Sequence, residues 1–108
     1  MKHRKRPPKD DNLGIRIQNC LKNRKYKQSL HALERIDKRK VTFQDVLYVL
    51  ETGRQEEAKD AYDEIFQNWK YSIRGKTLED VDIRIIITIN EENVVIITVV
   101  NLTMEENI

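Results

Sequence analysis

Two sets of residues in this 108-residue chain have types and spacings that could do chemistry. His31, Arg35 and Arg39 recur every fourth residue, which places them on one stripe of a helix. Leu30, Leu33 and Ile36 fall roughly on the other side. The second set lies in "NWKYSIRGKTLEDVDIR". As a strand, Lys70, Ser72 and Arg74 share one face, and Trp69, Tyr71 and Ile73 the other. Arg84 and Thr88 share a face of the strand that follows, and Lys76 comes directly after Gly75. Cations on one sheet face repel across strands by a few tenths to about 1 kcal/mol. Either a polyanion laid across that face or a covering acidic segment must offset the repulsion. "EEAKDAYDE" is acidic enough for the second role, so both readings stay open.

The chemistry these residues could perform is cleavage of an RNA phosphodiester. That reaction needs a base for the 2′-hydroxyl proton, an acid for the leaving 5′-oxygen, and cations for the charge on the phosphorane. No metal or cofactor is required when the 2′-hydroxyl is the nucleophile. His31 and Tyr71 are the proton-transfer candidates. Arg35, Arg74 and Arg84 are the electrostatic ones, and Lys70, Arg39 and Lys76 are candidate RNA contacts. A matched His–His or His–Glu pair cannot be picked out. The plainer alternative makes His31 a surface or framework residue, with Glu34 and Asp37 pairing to Lys38 and its neighbours. No glycine-rich phosphate loop is present, because Gly14, Gly53 and Gly75 are scattered.

The elements that must position these groups divide the chain into helices, then strands. The segment from Asp11 to Lys22 predicts a first helix, with Asn12 as cap and Ile17, Cys20 and Leu21 on one side. "SLHALERIDKR" predicts a second, capped by Ser29. "FQDVLYVLET" predicts a third, with Thr42 and Asp45 as an imperfect capping box and Gly53 as a left-handed stop. "RQEEAKDAYDEIF" reads as a short edge strand and a loop. "WKYSIR", "DIRIIITI" and "NVVIITVVNL" read as strands, the last two central and joined by an "NEEN" hairpin. The expected architecture is α+β, with N-terminal helices packed on a three- to four-stranded antiparallel sheet.

The bulk numbers frame this reading. A chain of this length makes one small domain, here residues 11–104, preceded by a disordered basic tail over residues 1–10. That tail is either an electrostatic arm for nucleic acid or a solubilising extension. Net charge is only +2, so bulk charge alone does not argue for nucleic acid. One cysteine excludes an internal disulfide, no zinc spacing exists, and the expected compartment is a reducing cytoplasm. Neither a membrane-length apolar run nor a signal peptide is visible.

"SLHALERIDKRKVTFQDVLYVLETG" resembles the opening of a bacterial family known only as a domain of unknown function. The shared pattern is H-A-x-x-R, an aliphatic, a basic residue, [IV]-[ST], D/E-V and a helix ending in Gly. "WKYSIRGKTLEDVDIRIIITI" and "VVIITVV" are similar to its second half, so the resemblance covers roughly residues 15–102. It implies a fold like the MqsR and RelE toxins and a neighbouring gene for an MqsA-like zinc-finger antitoxin. It further implies endoribonuclease activity on messenger RNA, possible on the ribosome, and carries His31, Arg35, Arg74 and Arg84 as functional positions. The alternative is a non-catalytic nucleic-acid- or protein-binding module of the same fold.

Overall fold

The computed structural model describes residues 6–29, 32 and 40–103. His31, Arg35 and Arg39 lie outside the described residues. Helix α1 spans Leu13–Lys22 and buries Leu13, Ile17 and Cys20, the 3–4 spacing of a one-sided stripe. Asn12 does not cap it through its side chain. Instead the Asn12 amide donates to Asp10 Oδ1 at 2.9 Å. Strand β1, Tyr26–Gln28, was not legible, since three residues show no alternation. It pairs in parallel with β6, Asn93–Asn101. Of the helix expected over 29–39, Ser29 and Ala32 are described. Ser29 Oγ accepts from the Ala32 amide at 3.0 Å, as a capping serine does.

Helix α2, Phe43–Thr52, opens on a complete capping box. Thr42 Oγ1 accepts from the Asp45 amide at 3.1 Å and Asp45 Oδ2 from the Thr42 amide at 2.8 Å. Gly53 ends the helix in extended geometry, φ −77° and ψ −174°, and not in the left-handed form expected. Its requirement for glycine is steric. A Cβ there would lie 2.6 Å from the Arg74 carbonyl oxygen and 2.7 Å from that of Val49.

The remaining strands are β2 (Arg54–Gln55), β3 (Ala61–Asp63), β4 (Asn68–Lys76) and β5 (Asp82–Asn90), with a 3-10 turn at Glu57–Lys59. The fold is α+β. The sheet runs β1-β6-β5-β4-β2, and β3 also pairs with β4. Every pairing except β1 with β6 is antiparallel. Strand β2 is the short edge strand expected at the start of "RQEEAKDAYDEIF"; the six strands exceed the three or four expected because β1 and β3 are too short to show a period. The β5–β6 turn sets Glu91 and Glu92 at φ 47° and 67°, so two glutamates occupy left-handed positions that asparagine or glycine fills more easily.

Both helices bury their stripes on one sheet face. Val46, Val49 and Leu50 join Leu13, Ile17 and Cys20 over Ile73, Ile83, Ile85, Ile87, Val94, Ile96 and Val99. Residues 6–10, expected to belong to a disordered tail, lie along the β3–β4 end of the sheet. Trp69 Nε1 donates to the Pro7 carbonyl at 2.7 Å, and the Asp10 amide donates to the Tyr71 hydroxyl at 2.9 Å. Lys9 pairs with Asp60 at 3.1 Å and Arg6 with Glu64 at 2.8 Å. Among the described residues, no helix is long and apolar enough to cross a membrane.

Candidate functional site

Alternation along β4 and β5 puts Lys70, Ser72, Arg74 and Lys76 with Asp82, Arg84, Ile86 and Thr88 on the face away from the helices. The register sets Arg74 directly opposite Arg84 and Lys76 opposite Asp82. The cations thus meet as the sequence pattern predicted, and their charge is offset from three directions.

The first is the edge of β4 that β5 leaves open. There β2 pairs with Ile73 and Arg74 and β3 with Asn68–Lys70, but the 3-10 turn lifts the chain away in between. Ser72 bridges the gap. Its carbonyl accepts from the Glu56 amide at 2.8 Å, and its amide donates to Asp60 Oδ1 at 2.9 Å, a carboxylate standing in for the missing strand carbonyl. Asp60, whose side chain is 0% exposed, also accepts from Gln55 Nε2 at 2.6 Å and pairs with Lys9. This backbone anchoring aims the Glu56 side chain over the arginine pair. Glu56 Oε1 accepts from Arg84 Nε at 2.6 Å and Ser72 Oγ at 3.1 Å, while Oε2 accepts from Arg84 Nη2 at 3.3 Å and Arg74 Nη1 at 3.4 Å.

The second source is Asp82, which Arg74 grips through two nitrogens at 3.1 and 2.6 Å, the fork geometry that strengthens such a pair. The third is Asp63, 3.2 Å from Lys70. The acidic segment thus does cover Arg84 and Lys70, through Glu56 and Asp63, while Arg74 is held chiefly by Asp82 from β5.

Titration follows these contacts. The Arg84 hydrogen bond, then those from Ser72 and Arg74, hold the Glu56 carboxyl down from 4.5 to about 2, against burial that pushes it up. Arg74 in turn lowers Asp82. Asp63 is lowered first by the Phe66 amide and then by Lys70. Burial raises Tyr71.

Of the sequence-predicted site residues, Lys70, Arg74, Lys76 and Arg84 come together on one face. Tyr71 lies on the other, 4% exposed, its hydroxyl taken by the Asp10 amide. His31, Arg35 and Arg39 lie outside the described residues. Sequence reasoning missed Glu56 and Asp82. Asp82 was within reach, since it stands two residues before Arg84 and so shares its face. Glu56 lay within the acidic segment read as a possible cover, but nothing singled it out, because its position depends on where the broken edge strand meets Ser72.

Neither a curated protein nor a solved structure matches the chain. A family model does match, over residues 28–101, and the segment it covers runs from the end of β1 through β6 and so includes every arginine and carboxylate of this cluster. The chain belongs to the DUF4258 family, a domain of unknown function.

Proposed function

We propose that the protein is the toxin of a bacterial toxin–antitoxin pair, an endoribonuclease that cleaves messenger RNA through attack by the 2′-hydroxyl, without a metal ion. The observation that supports this most is a carboxylate, Glu56, held between two cross-strand guanidiniums. It supplies the acceptor that the sequence did not reveal. In this reading Glu56 takes the 2′-hydroxyl proton, Arg74 and Arg84 hold the phosphorane charge, and Lys70 contacts a flanking phosphate. His31, with Arg35 beside it on the H-A-x-x-R motif, protonates the leaving 5′-oxygen, and Arg39 extends the RNA contact. Glu56 is ionised at neutral pH, with its carboxyl at about 2. A phosphate that draws Arg74 and Arg84 toward itself raises that value and makes Glu56 a better base. Tyr71 becomes a framework residue. The likeness of fold to MqsR and RelE toxins, a cytoplasmic setting and an MqsA-like zinc-finger partner belong to the same proposal.

The test uses the full chain with a messenger RNA in EDTA, with and without ribosomes. Wild type should leave 2′,3′-cyclic phosphate ends. His31→Ala, Glu56→Gln and Arg84→Ala should each lose about 100–1000-fold in rate. Expression should arrest growth, and co-expression of the adjacent gene should restore it. A growth-arresting wild type that cleaves no RNA, or cleavage unchanged in all three variants, would overturn the proposal.

A second reading, a non-catalytic RNA- or protein-binding module, is favoured by how closed the cluster is. The side chains of Arg84 and Glu56 are only 19% and 18% exposed. Under it, Glu56→Gln lowers the melting temperature and changes no chemistry.

A further inference from the structure

The geometry points to a phosphate-binding cleft at the Gly53–Gly75 junction, beside the Glu56 cluster and sharing Arg74 with it. It takes one phosphate group of a polyanion. The site stands on its own geometry and rests on the reading above only for the source of the phosphate.

Here β2 leaves α2 and meets the end of β4, and the two backbones approach until neither can carry a side chain. A Cβ on Gly75 would lie 3.0 Å from the Gly53 Cα. Beside this close approach lies an open cleft of about 400 Å³, its charged rim formed by Arg54, Arg74, Lys76 and Asp82. Formal charge there is three positive against one negative. The carbonyl end of α2 adds roughly half a negative charge, which leaves the cleft positive.

The arginines also stand in an unfavourable relation. Arg54 pairs directly opposite Arg74 in the β2–β4 register, a like-charge pair that repels across the strands. Asp82 does not relieve Arg54, because Arg74 engages both of its oxygens. Glu56 is engaged by Arg84, Ser72 and Arg74. The Arg54 side chain is exposed and has no ion-pair or hydrogen-bond partner among the described residues. Lys76 pairs with Asp80 at 3.4 Å with side chains 61% and 82% exposed, an arrangement worth little in water, and it faces an Asp82 already gripped by Arg74. The carboxylates that neutralise Arg74 and Arg84 thus leave Arg54 uncompensated, and Lys76 shares Asp82 with Arg74. A phosphate seated in the cleft would meet Arg54, Lys76 and the outer side of Arg74.

A fluorescently labelled, all-deoxy single strand serves as probe. It has no 2′-hydroxyl, so binding is read apart from cleavage. The full chain is titrated with it across a salt series, as wild type, Arg54→Ala, Arg54→Glu and Lys76→Ala. Arg54 is exposed on a two-residue edge strand, and each variant's melting temperature is recorded beside its affinity. Arg54→Ala and Lys76→Ala should each weaken binding several-fold and flatten the slope of log K against log salt by about 0.7. Arg54→Glu should weaken it further. Inorganic phosphate and a 5′-mononucleotide are titrated as competitors. Displacement at millimolar concentration by either marks the cleft as a site for a free phosphate group. Displacement only by a second oligonucleotide marks it as a backbone subsite, and both outcomes support the cleft. Affinity and slope unchanged in Arg54→Ala and Arg54→Glu at wild-type melting temperature would overturn it. Oligonucleotide binding that is lost in these variants, in a protein that cleaves no RNA, would keep the cleft and sink the nuclease.

Discussion

Replacing Glu56 by glutamine keeps the shape of the side chain and removes its charge, so it isolates what the carboxylate does for the fold. Glu56 titrates near 4.5 unfolded and at about 2 in the folded chain. At ~1.4 kcal/mol per unit, that difference corresponds to at most about 3.5 kcal/mol at neutral pH. The side chain remains 18% exposed, so water and salt screen part of this. The expected loss for Glu56→Gln at about pH 7 is therefore about 1–2 kcal/mol. Arg84 bears most of it, since Arg74 still holds Asp82. Because the folded value is the lower one, the stabilisation is complete above about pH 4.5 and disappears as pH falls through that value toward 2. Integration between the two values removes roughly 40% of it by about pH 3.5. Urea unfolding of wild type and variant at the two pH values measures this directly, provided the slopes agree. The gap should shrink on acidification. A gap below about 0.5 kcal/mol at neutral pH, or one that widens in acid, would refute the assignment of Glu56 as counter-ion to the arginine pair.

Two further substitutions probe the elements that hold this cluster. Gly53→Ala forces a methyl to 2.6 Å from one backbone oxygen and 2.7 Å from another, neither of which can rotate away. It should cost about 2–3 kcal/mol, read as a lowered melting temperature, and a neutral result would mean that β2 is not seated against Arg74. Glu92→Gly relieves a side chain at φ 67° while keeping the carbonyl that accepts from Cys20 Sγ. It should stabilise the protein by about 0.5–1 kcal/mol in urea, and a loss of stability would contradict the left-handed turn.

What the sequence made legible follows the length of each pattern. Strands β4, β5 and β6 carry enough alternation to fix both their existence and their faces, so the meeting of Lys70, Arg74 and Arg84 could be anticipated. Helix α2 announced itself through Thr42, its stripe and Gly53, although Gly53 is glycine for closeness to Arg74 and not for a left-handed stop. Short elements were less legible. Three residues in β1 and in β3 hold no period, and their pairing is decided by long strands elsewhere in the chain, whereas β2 reads as a short edge strand without showing which strand it joins. The counter-charges were hidden for the same reason. Asp60 and Glu56 reach Ser72 only because a turn interrupts the edge strand, and composition shows an acidic segment without showing where it lands. Residues 6–10 of the basic segment depart from its expectation. Its charge pattern reads as a solvated tail, yet Pro7, Lys9 and Asp10 have partners in Trp69, Asp60 and Tyr71.

The interrupted edge along β4 also bears on how this sheet avoids its own kind. A long, flat outer strand offers amides and carbonyls that any other extended chain can adopt, and proteins commonly blunt such edges with proline, bulges or lysines. Here the covering pieces are two and three residues long, too short to hold by ladder bonds alone. They stay because Glu56, Asp60 and Asp63 fasten the same segment to β4 and β5. The barrier to aggregation on this side of the molecule is thus ionic. It weakens with acid and with salt, whereas an apolar seal would not, and the charges that could serve a site also keep neighbouring molecules apart.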